Sequence, residues 1–178
     1  MAAALTGCSS GTVSRSKIER ELVATINSQR PGLKVTANCP TGVKVHVGAT
    51  FGCGVTLAGD PVNYTITITG VAGGQYASDA TPTQPIIDTV SVASSMTTQE
   101  GPGATVTCGG QRFVQLPVNT TFTCQVTKGG HSRTLSLVVT DAQGDVTVGN
   151  GTTSPSPTTV IPNGIPNGIP NGGSLPGG

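Results

Sequence analysis

Residues 49–56, ATFGCGVT, and residues 120–127, TTFTCQVT, are the stretches that decide the fold of this chain. In both, a phenylalanine stands two positions before a cysteine, and another cysteine lies upstream after a short run rich in threonine, valine and alanine. A strand-like pattern begins eleven positions after Cys53 and again eleven positions after Cys124. This agreement of residue types and spacing indicates that one module occurs twice.

Each copy has the sequence features of a small antiparallel sheet. Residues 43–47, VKVHV, and residues 65–69, TITIT, alternate apolar and polar side chains with the two-residue period of half-buried strands. Turn-forming residues follow at 58–61 in the first copy and at 128–131 in the second. Two strand patterns joined by a Gly-Gly turn indicate a hairpin. The patterns predict three or four strands in each copy.

A helix is expected before each sheet. Residues 16–19, SKIE, fit a capping box, in which Ser16 caps the helix and Glu19 reaches back to the cap. An apolar stripe at helical spacing follows, and the turn residues at 30–32 end it. Residues 85–99 carry a weaker stripe with many Thr, Ser and Val, which predicts a shorter helix. The apolar stripes consist of Ile18, Leu22, Val23 and Ile26 in the first helix, and of Ile86, Ile87, Val90, Ala93 and Met96 in the second.

The predicted fold class is α+β, with two tandem small modules that each pack a helix on a three- to four-stranded antiparallel sheet and contain one disulfide. We expect a truncated lipoprotein signal and tether at 1–15, a first module at 16–74, a linker at 75–83 and a second module with its own core at 84–149. Residues 150–178 combine a Ser/Thr/Pro stretch with three Ile-Pro-Asn-Gly units. That composition predicts a disordered tail.

The paired cysteines are expected to form disulfides. Only 10% of the residues are charged and 3% are aromatic, so the core is thin and needs covalent support. Structural zinc sites favour cysteines about two to four residues apart, whereas these lie fourteen and sixteen positions apart. We therefore expect bonds between Cys39 and Cys53 and between Cys108 and Cys124, with no metal ion or other cofactor. Sequence alone does not fix connectivity, but the repetition argues against crossed pairs.

The fifth cysteine, Cys8, ends the stretch LTGC at residues 5–8. This stretch resembles the lipobox of bacterial lipoproteins, in which cleavage of a signal leaves a lipidated cysteine. A signal needs a basic segment and about 7–15 apolar residues, and only MAAA precedes the box, so we expect that the signal is truncated. The alternative is a chance match of four residues. Lipidation of Cys8 would anchor a full-length form to the membrane without spanning it.

Two further patterns accompany this box and the amphipathic helix: V-x-x-x-C-P at residues 35–40 and G-A-T-x-x-C at residues 48–53. Together they resemble an actinobacterial domain of unknown function that occurs in lipoproteins. The resemblance covers residues 16–72 well and residues 84–148 loosely, because the second copy departs from both patterns. It implies a small, extracytoplasmic, disulfide-bonded α+β fold. It brings no known activity and no catalytic residues.

The sequence contains no recognisable catalytic constellation. His46 falls on the polar face of a predicted strand, and His131 falls in a predicted turn. We expect both side chains to be exposed to solvent. The carboxylates are scattered, there is no G-x-S-x-G motif, and a net charge of +1 gives no basis for nucleic-acid binding. Asp141 and Asp145 flank a turn with too few oxygens for calcium.

We therefore expect a protein that is not an enzyme: a monomeric extracytoplasmic lipoprotein that serves as a binding or structural module of the cell envelope. Its partner would be an envelope protein, a glycan or a lipid, and it would touch the membrane only through a lipid on Cys8. The alternative is a cell-wall-acting hydrolase with an unrecognised carboxylate pair. Glycosidase carboxylates lie about 5–9.5 Å apart across a cleft, for which a small module offers little room.

Overall fold

The computed structural model describes residues 11–149, which form two four-stranded antiparallel sheets, one two-stranded sheet and two helices. Cys8 and the predicted tail at 150–178 lie outside the described residues. In chain order the elements are α1 (Arg15–Gln29), β1 (Val35–Asn38), β2 (Thr50–Leu57), β3 (Asp60–Ala72), β4 (Gln75–Pro82), β5 (Ile86–Asp88), α2 (Thr89–Glu100), β6 (Ala104–Thr107), β7 (Phe113–Gln115), β8 (Thr121–Lys128), β9 (His131–Val139) and β10 (Val146–Val148).

The two large sheets are built around hairpins of the same register. The first sheet has the order β1-β2-β3-β4, and the second has the order β10-β9-β8-β6. A two-residue turn joins β2 to β3 and another joins β8 to β9, so Cys53 lies opposite Tyr64 and Cys124 lies opposite Leu135. The eleven-residue spacing in the sequence is this cross-strand register.

The expected disulfide bonds are present. Cys39, which directly follows β1, is bonded to Cys53 in β2, and Cys108, which follows β6, is bonded to Cys124 in β8. All four cysteines are buried. Because β1 and β6 are edge strands of only four residues, few ladder bonds hold them. A disulfide closing a loop of about 15 residues contributes roughly 3 kcal/mol in the chain-entropy model, which is a large share of the stability of a small sheet.

Helix α1 places its apolar stripe on the first sheet, with Ile18, Leu22 and Ile26 all buried. The predicted capping box is wrong. The helix begins at Arg15 and the residue at the cap position, Ser14, makes no side-chain cap bond. The Glu19 carboxylate does not bind the backbone N–H at the cap, because it accepts hydrogen bonds from Cys39 and from the Arg15 side chain. The helix ends at Gln29, as the Pro-Gly pair after it predicts.

Two predicted boundaries are wrong in the first half. Residues 43–47 do not form a ladder strand: Val43 and Val45 pair only with residues 11–13, in the expected tether, through Val13 N–H to Val43 O (2.8 Å) and Val45 N–H to Gly11 O (3.0 Å). Val13 is buried there.

Residues 75–83, expected as a linker, instead supply strand β4, which pairs with β3 along its whole length. Gly73 and Gly74 form the connecting turn at φ 56° and 78°, the positive values that a tight type I′ hairpin requires. The strand itself is made mostly of small and polar residues, and Ala80 is its one buried side chain. Its sequence therefore shows almost none of the apolar–polar alternation that predicts a strand.

Helix α2 is shorter than α1, as expected, but its register differs from the predicted stripe. Ile86 and Ile87 belong to β5, and Val90 is 56% exposed. The buried face is formed by Thr89, Val92 and Met96. The difference arises because Asp88 caps the helix: its carboxylate accepts bonds from the N–H groups of Val90 and Ser91 (3.2 and 3.3 Å). This cap places the start of α2 at Thr89, four residues after the start of the predicted stretch.

The expectation that each module has its own core is wrong where the two halves meet. Most buried residues fall into one cluster under α1 and the first sheet and a second cluster under α2 and the second sheet. Two residues from beyond position 84, Ile86 of β5 and Phe113 of β7, belong to the first cluster. Phe113 is 1% exposed. The second half of the chain therefore completes the core of the first.

Polar bonds reinforce this connection along β3. The Asp60 carboxylate, at the start of β3, accepts the backbone N–H groups of Arg112 and Phe113 (2.8 and 2.9 Å). The Gln115 side chain pairs with Asn63 as a strand would, accepting its N–H (2.7 Å) and donating to its carbonyl (2.9 Å). These hydrogen bonds hold β7 against the first residues of β3.

A buried charge lies at the same junction. The Asp88 side chain has no exposed surface, and its Oδ2 accepts from Arg30 (3.2 Å) and from Arg112 (3.5 Å). Arg30 follows α1, whereas Arg112 precedes β7, so one carboxylate joins segments from both halves. A buried carboxylate persists only when its charge is paired and its oxygens are bonded. Asp88 therefore links the start of α2 to the first half.

Truncation of Phe113 tests whether the two halves fold together. We expect Phe113→Ala to lower the free energy of unfolding by about 3–5 kcal/mol and the protein to melt in a single calorimetric transition. Phe122→Ala is the matched control, since Phe122 packs only against the second cluster, and it should also lower a single transition. Two separate melting transitions, of which Phe113→Ala shifts only one, would contradict a shared core.

Removal of the Asp88 charge should destabilise the same junction. Asp88→Asn keeps an acceptor for the helix cap but loses the charged bonds, which contribute roughly 1.5–3 kcal/mol. Arg30 and Arg112 stay 25% and 45% exposed, so a loss near the lower limit is expected in urea unfolding. Asp88→Ala should cost about 1 kcal/mol more through loss of the cap. An Asn variant as stable as the wild type would show that the ion pairs contribute nothing.

Candidate functional site

A shallow groove of about 520 Å³ runs between one flank of α1 and strand β1. The helix flank lies beside the buried stripe, at positions spaced by three and four residues, which all face one way. On the sheet side the groove is bounded by Ala37, whose small side chain leaves room between helix and strand. The lining residues are Ser16, Glu19, Arg20, Val23, Ala24 and Ala37.

Glu19 connects the helix to the edge of the sheet at one end of this groove. Its Oε1 accepts the backbone N–H of Cys39 (2.9 Å) and the Arg15 Nε–H (2.7 Å), while Arg15 also donates to Asn38 Oδ1 (2.8 Å). The Cys39 N–H, and after it the Arg15 guanidinium, hold the pKa of Glu19 below its ordinary value of 4.5. The negative charge in the groove is thus compensated by residues of the same chain.

Arg20 is the second charged residue of the groove and differs from Glu19 in its surroundings. It is exposed, and within residues 11–149 it forms no ion pair. The neighbouring glutamate Glu21 is 3.8 Å from Lys17. Because Glu19 and Glu21 already have cationic partners, the groove keeps one uncompensated positive charge on Arg20.

The predicted site residues are distributed unevenly around the groove. The Cys39–Cys53 disulfide adjoins it, since the Cys39 N–H is bound by Glu19, whereas the Cys108–Cys124 disulfide belongs to the second sheet. Cys8 lies outside the described residues. Sequence reasoning missed the site role of Glu19, because its bond to the Cys39 N–H joins residues twenty positions apart.

The histidines and aspartates singled out in the sequence do not converge. His46 and His131 are exposed and lie in different halves. Asp141 accepts the N–H of Asp145 (3.0 Å), which closes a turn before β10. Among residues 11–149 no three His, Cys, Asp or Glu side chains are grouped so that they could hold a metal ion. Neither helix of that range is long and apolar enough to cross a lipid bilayer.

Comparison with known protein families matches the first part of the chain. Residues 3–73 match the family model described as "Domain of unknown function (DUF4333)". The matched range contains α1, β1, the Cys39–Cys53 disulfide and the whole groove, but less than half of the chain. No curated protein and no solved structure matches the chain. The likeness of the first half to a domain of unknown function, expected from its cysteine patterns, is confirmed to that extent.

The lowered pKa of Glu19 predicts a pH dependence of stability. Because the folded carboxyl binds its proton less readily than the unfolded one, the contribution is fully present above about pH 4.5 and is lost as the pH falls through the lowered pKa. In urea unfolding at pH 7 and pH 3, Glu19→Gln should lose less stability on acidification than the wild type. Glu21→Gln, on the same helix, is the matched control and should follow the wild type. Equal acid sensitivity of both variants would contradict this role of Glu19.

Proposed function

We propose that this protein is a non-catalytic binding or structural module of the cell envelope. The observation that carries the proposal is the use of its carboxylates, the groups on which a wall hydrolase would depend. Asp60 and Asp88 hold the junction between the halves, Glu19 holds the edge of β1, and Glu100 pairs with Arg133. These four of the eight carboxylates hold parts of the fold together, which supports a binding or structural role.

The proposed location is outside the cytoplasm. Two buried disulfides fit an oxidising compartment. We propose further that Cys8 carries a lipid in the full-length form, so that the protein is anchored to the membrane. Three chain steps separate Cys8 from Gly11, a span of at most about 11 Å. A lipid on Cys8 would therefore keep the first sheet and its groove close to the membrane surface.

We also propose that the two halves are diverged copies of one module. Each has a helix before a four-stranded sheet, the same hairpin register around its second cysteine, and a disulfide from the edge strand to its neighbour. The first copy carries the groove and matches the family model, whereas the second supplies Phe113 and Asp88 to the junction. The second copy thus acts as a support for the first, within a monomer whose partner is an envelope component.

Lipidation can be tested by expressing the chain behind an upstream secretory signal in an actinobacterial host fed an alkyne-tagged fatty acid. We expect the wild type to carry the label and to fractionate with membranes, and Cys8→Ser to lose both properties. Ser9→Ala serves as the neighbouring control and should behave as the wild type. A label that persists in Cys8→Ser, or an unlabelled wild type, would contradict the anchor.

A second experiment distinguishes binding from hydrolysis. Purified protein incubated with isolated cell envelopes should sediment with them and release no soluble wall fragments, as judged by mass spectrometry of the supernatant. Fragments released by the wild type would favour the hydrolase. Protein that neither sediments with envelopes nor crosslinks to any envelope component would contradict the proposed binding function.

A further inference from the structure

We propose that the free edge of β1, with the groove beside α1, binds an extended acidic peptide segment of a partner protein by adding it as a strand to the first sheet. This inference rests on the proposed binding function and names the chemistry of the partner. Three observations carry it: the orientation of the β1 backbone, the shape of the groove, and the charge of its lining.

The register of β1 fixes which backbone groups face outward. Lys34 O accepts the Ala58 N–H (2.8 Å), so even-numbered residues of this strand bond toward β2. Alternate residues of an antiparallel strand direct their N–H and C=O groups to opposite edges. The odd-numbered residues therefore face away from the sheet, and the Cys39 N–H that Glu19 receives confirms this direction. Val35 and Ala37 present their backbone groups to the outer edge.

Helix α1 covers this edge only in part. Glu19 accepts a hydrogen bond from the outward N–H of Cys39. The outward N–H and C=O groups of Val35 and Ala37 have no hydrogen-bond partner within residues 11–149. Unpaired edge groups form a template for another extended backbone. A peptide added there places alternate side chains on the helix side, where Ala24 and Ala37 leave space in the groove.

The charges select an acidic peptide. Residues 11–74 contain six Lys or Arg and only three Asp or Glu, and each of those acids already accepts a bond or lies beside a cation. Arg20 lines the groove and Lys34 precedes the edge, both exposed and without an ion pair in the described part of the chain. A carboxylate on the incoming strand can pair with Arg20.

The other edge of the first sheet lacks these features. Strand β4 is longer, but it carries Asp79 and ends at Pro82, which offers no N–H to a neighbour. An acidic strand would be repelled by Asp79 and would find no cation on β4 itself. The β1 edge is therefore the better site for a peptide of this charge.

The test uses the full chain and a phage-displayed library of random heptapeptides. We expect enrichment of peptides that alternate β-branched residues with Asp or Glu, and their affinity is then measured by fluorescence anisotropy. Arg20→Glu should weaken binding about fivefold or more, the equivalent of roughly 1 kcal/mol. Lys44→Glu makes the same charge change outside the groove and should leave the affinity unchanged.

Two further measurements address the groove and the backbone. Ala37→Leu fills the groove from its floor and should weaken the same peptides; circular dichroism of each variant verifies that it is folded. If Ala37→Leu fails to fold, Arg20→Glu still decides, because Arg20 is exposed and its substitution leaves the core untouched. In the complex, amide hydrogen exchange at Val35 and Ala37 should slow at least about tenfold, the signature of new strand pairing.

The inference is overturned if no acidic peptide is enriched, if enriched peptides bind Arg20→Glu as tightly as the wild type, or if the amides of β1 keep their exchange rates. These results leave the proposed function intact when the protein still sediments with envelopes, since the partner would then bind elsewhere. Loss of both envelope binding and peptide binding would reject both proposals.

Discussion

The covalent attachment of β1 to the first sheet is the constraint on which the candidate site depends. β1 has four residues and one neighbouring strand, and the Cys39–Cys53 bond fixes its end next to β2. Fixing Cys39 also fixes its outward N–H, which receives Glu19 and so aligns α1 along the strand. The groove is the gap left by that alignment. A chain with few aromatic residues and few charges thus holds the β1 edge in place mainly by a disulfide and one carboxylate.

The second half contributes to this site from a distance. Phe113 belongs to the core cluster of the first sheet, and Asp60 and Asn63 of β3 form hydrogen bonds with residues of β7 and the residue before it. Asp88 then ties α2 to Arg30, directly after the end of α1. Since Arg30 and Glu19 belong to opposite ends of the same helix region, the helix is held at both ends. Residues of the second half therefore support the first sheet.

The sequence predicted the parts of the fold that depend on short-range patterns. The hairpins followed from strand patterns joined by turn residues at 58–61 and 128–131, and the stripe of α1 followed from its helical period. Strand β4 was not predicted, because its side chains are mostly small and polar. The register of α2 was predicted wrongly, because the Asp88 cap determines the start of the helix and the apolar stripe does not. The groove depends on Glu19 meeting a residue twenty positions away, which no local pattern contains.

The incomplete protection of β1 bears on what the edge is for. Proteins usually shield exposed edges with charges, bulges or covering elements, because an open edge invites pairing with any extended chain. Here the shield is partial: Glu19 closes the edge at Cys39, and the cations Arg20 and Lys34 flank the open part. Cations repel a second copy of the same basic edge, so self-pairing is opposed by charge. They attract an acidic strand. An edge that rejects its own copy while it admits the opposite charge has the selectivity that the proposed peptide site needs.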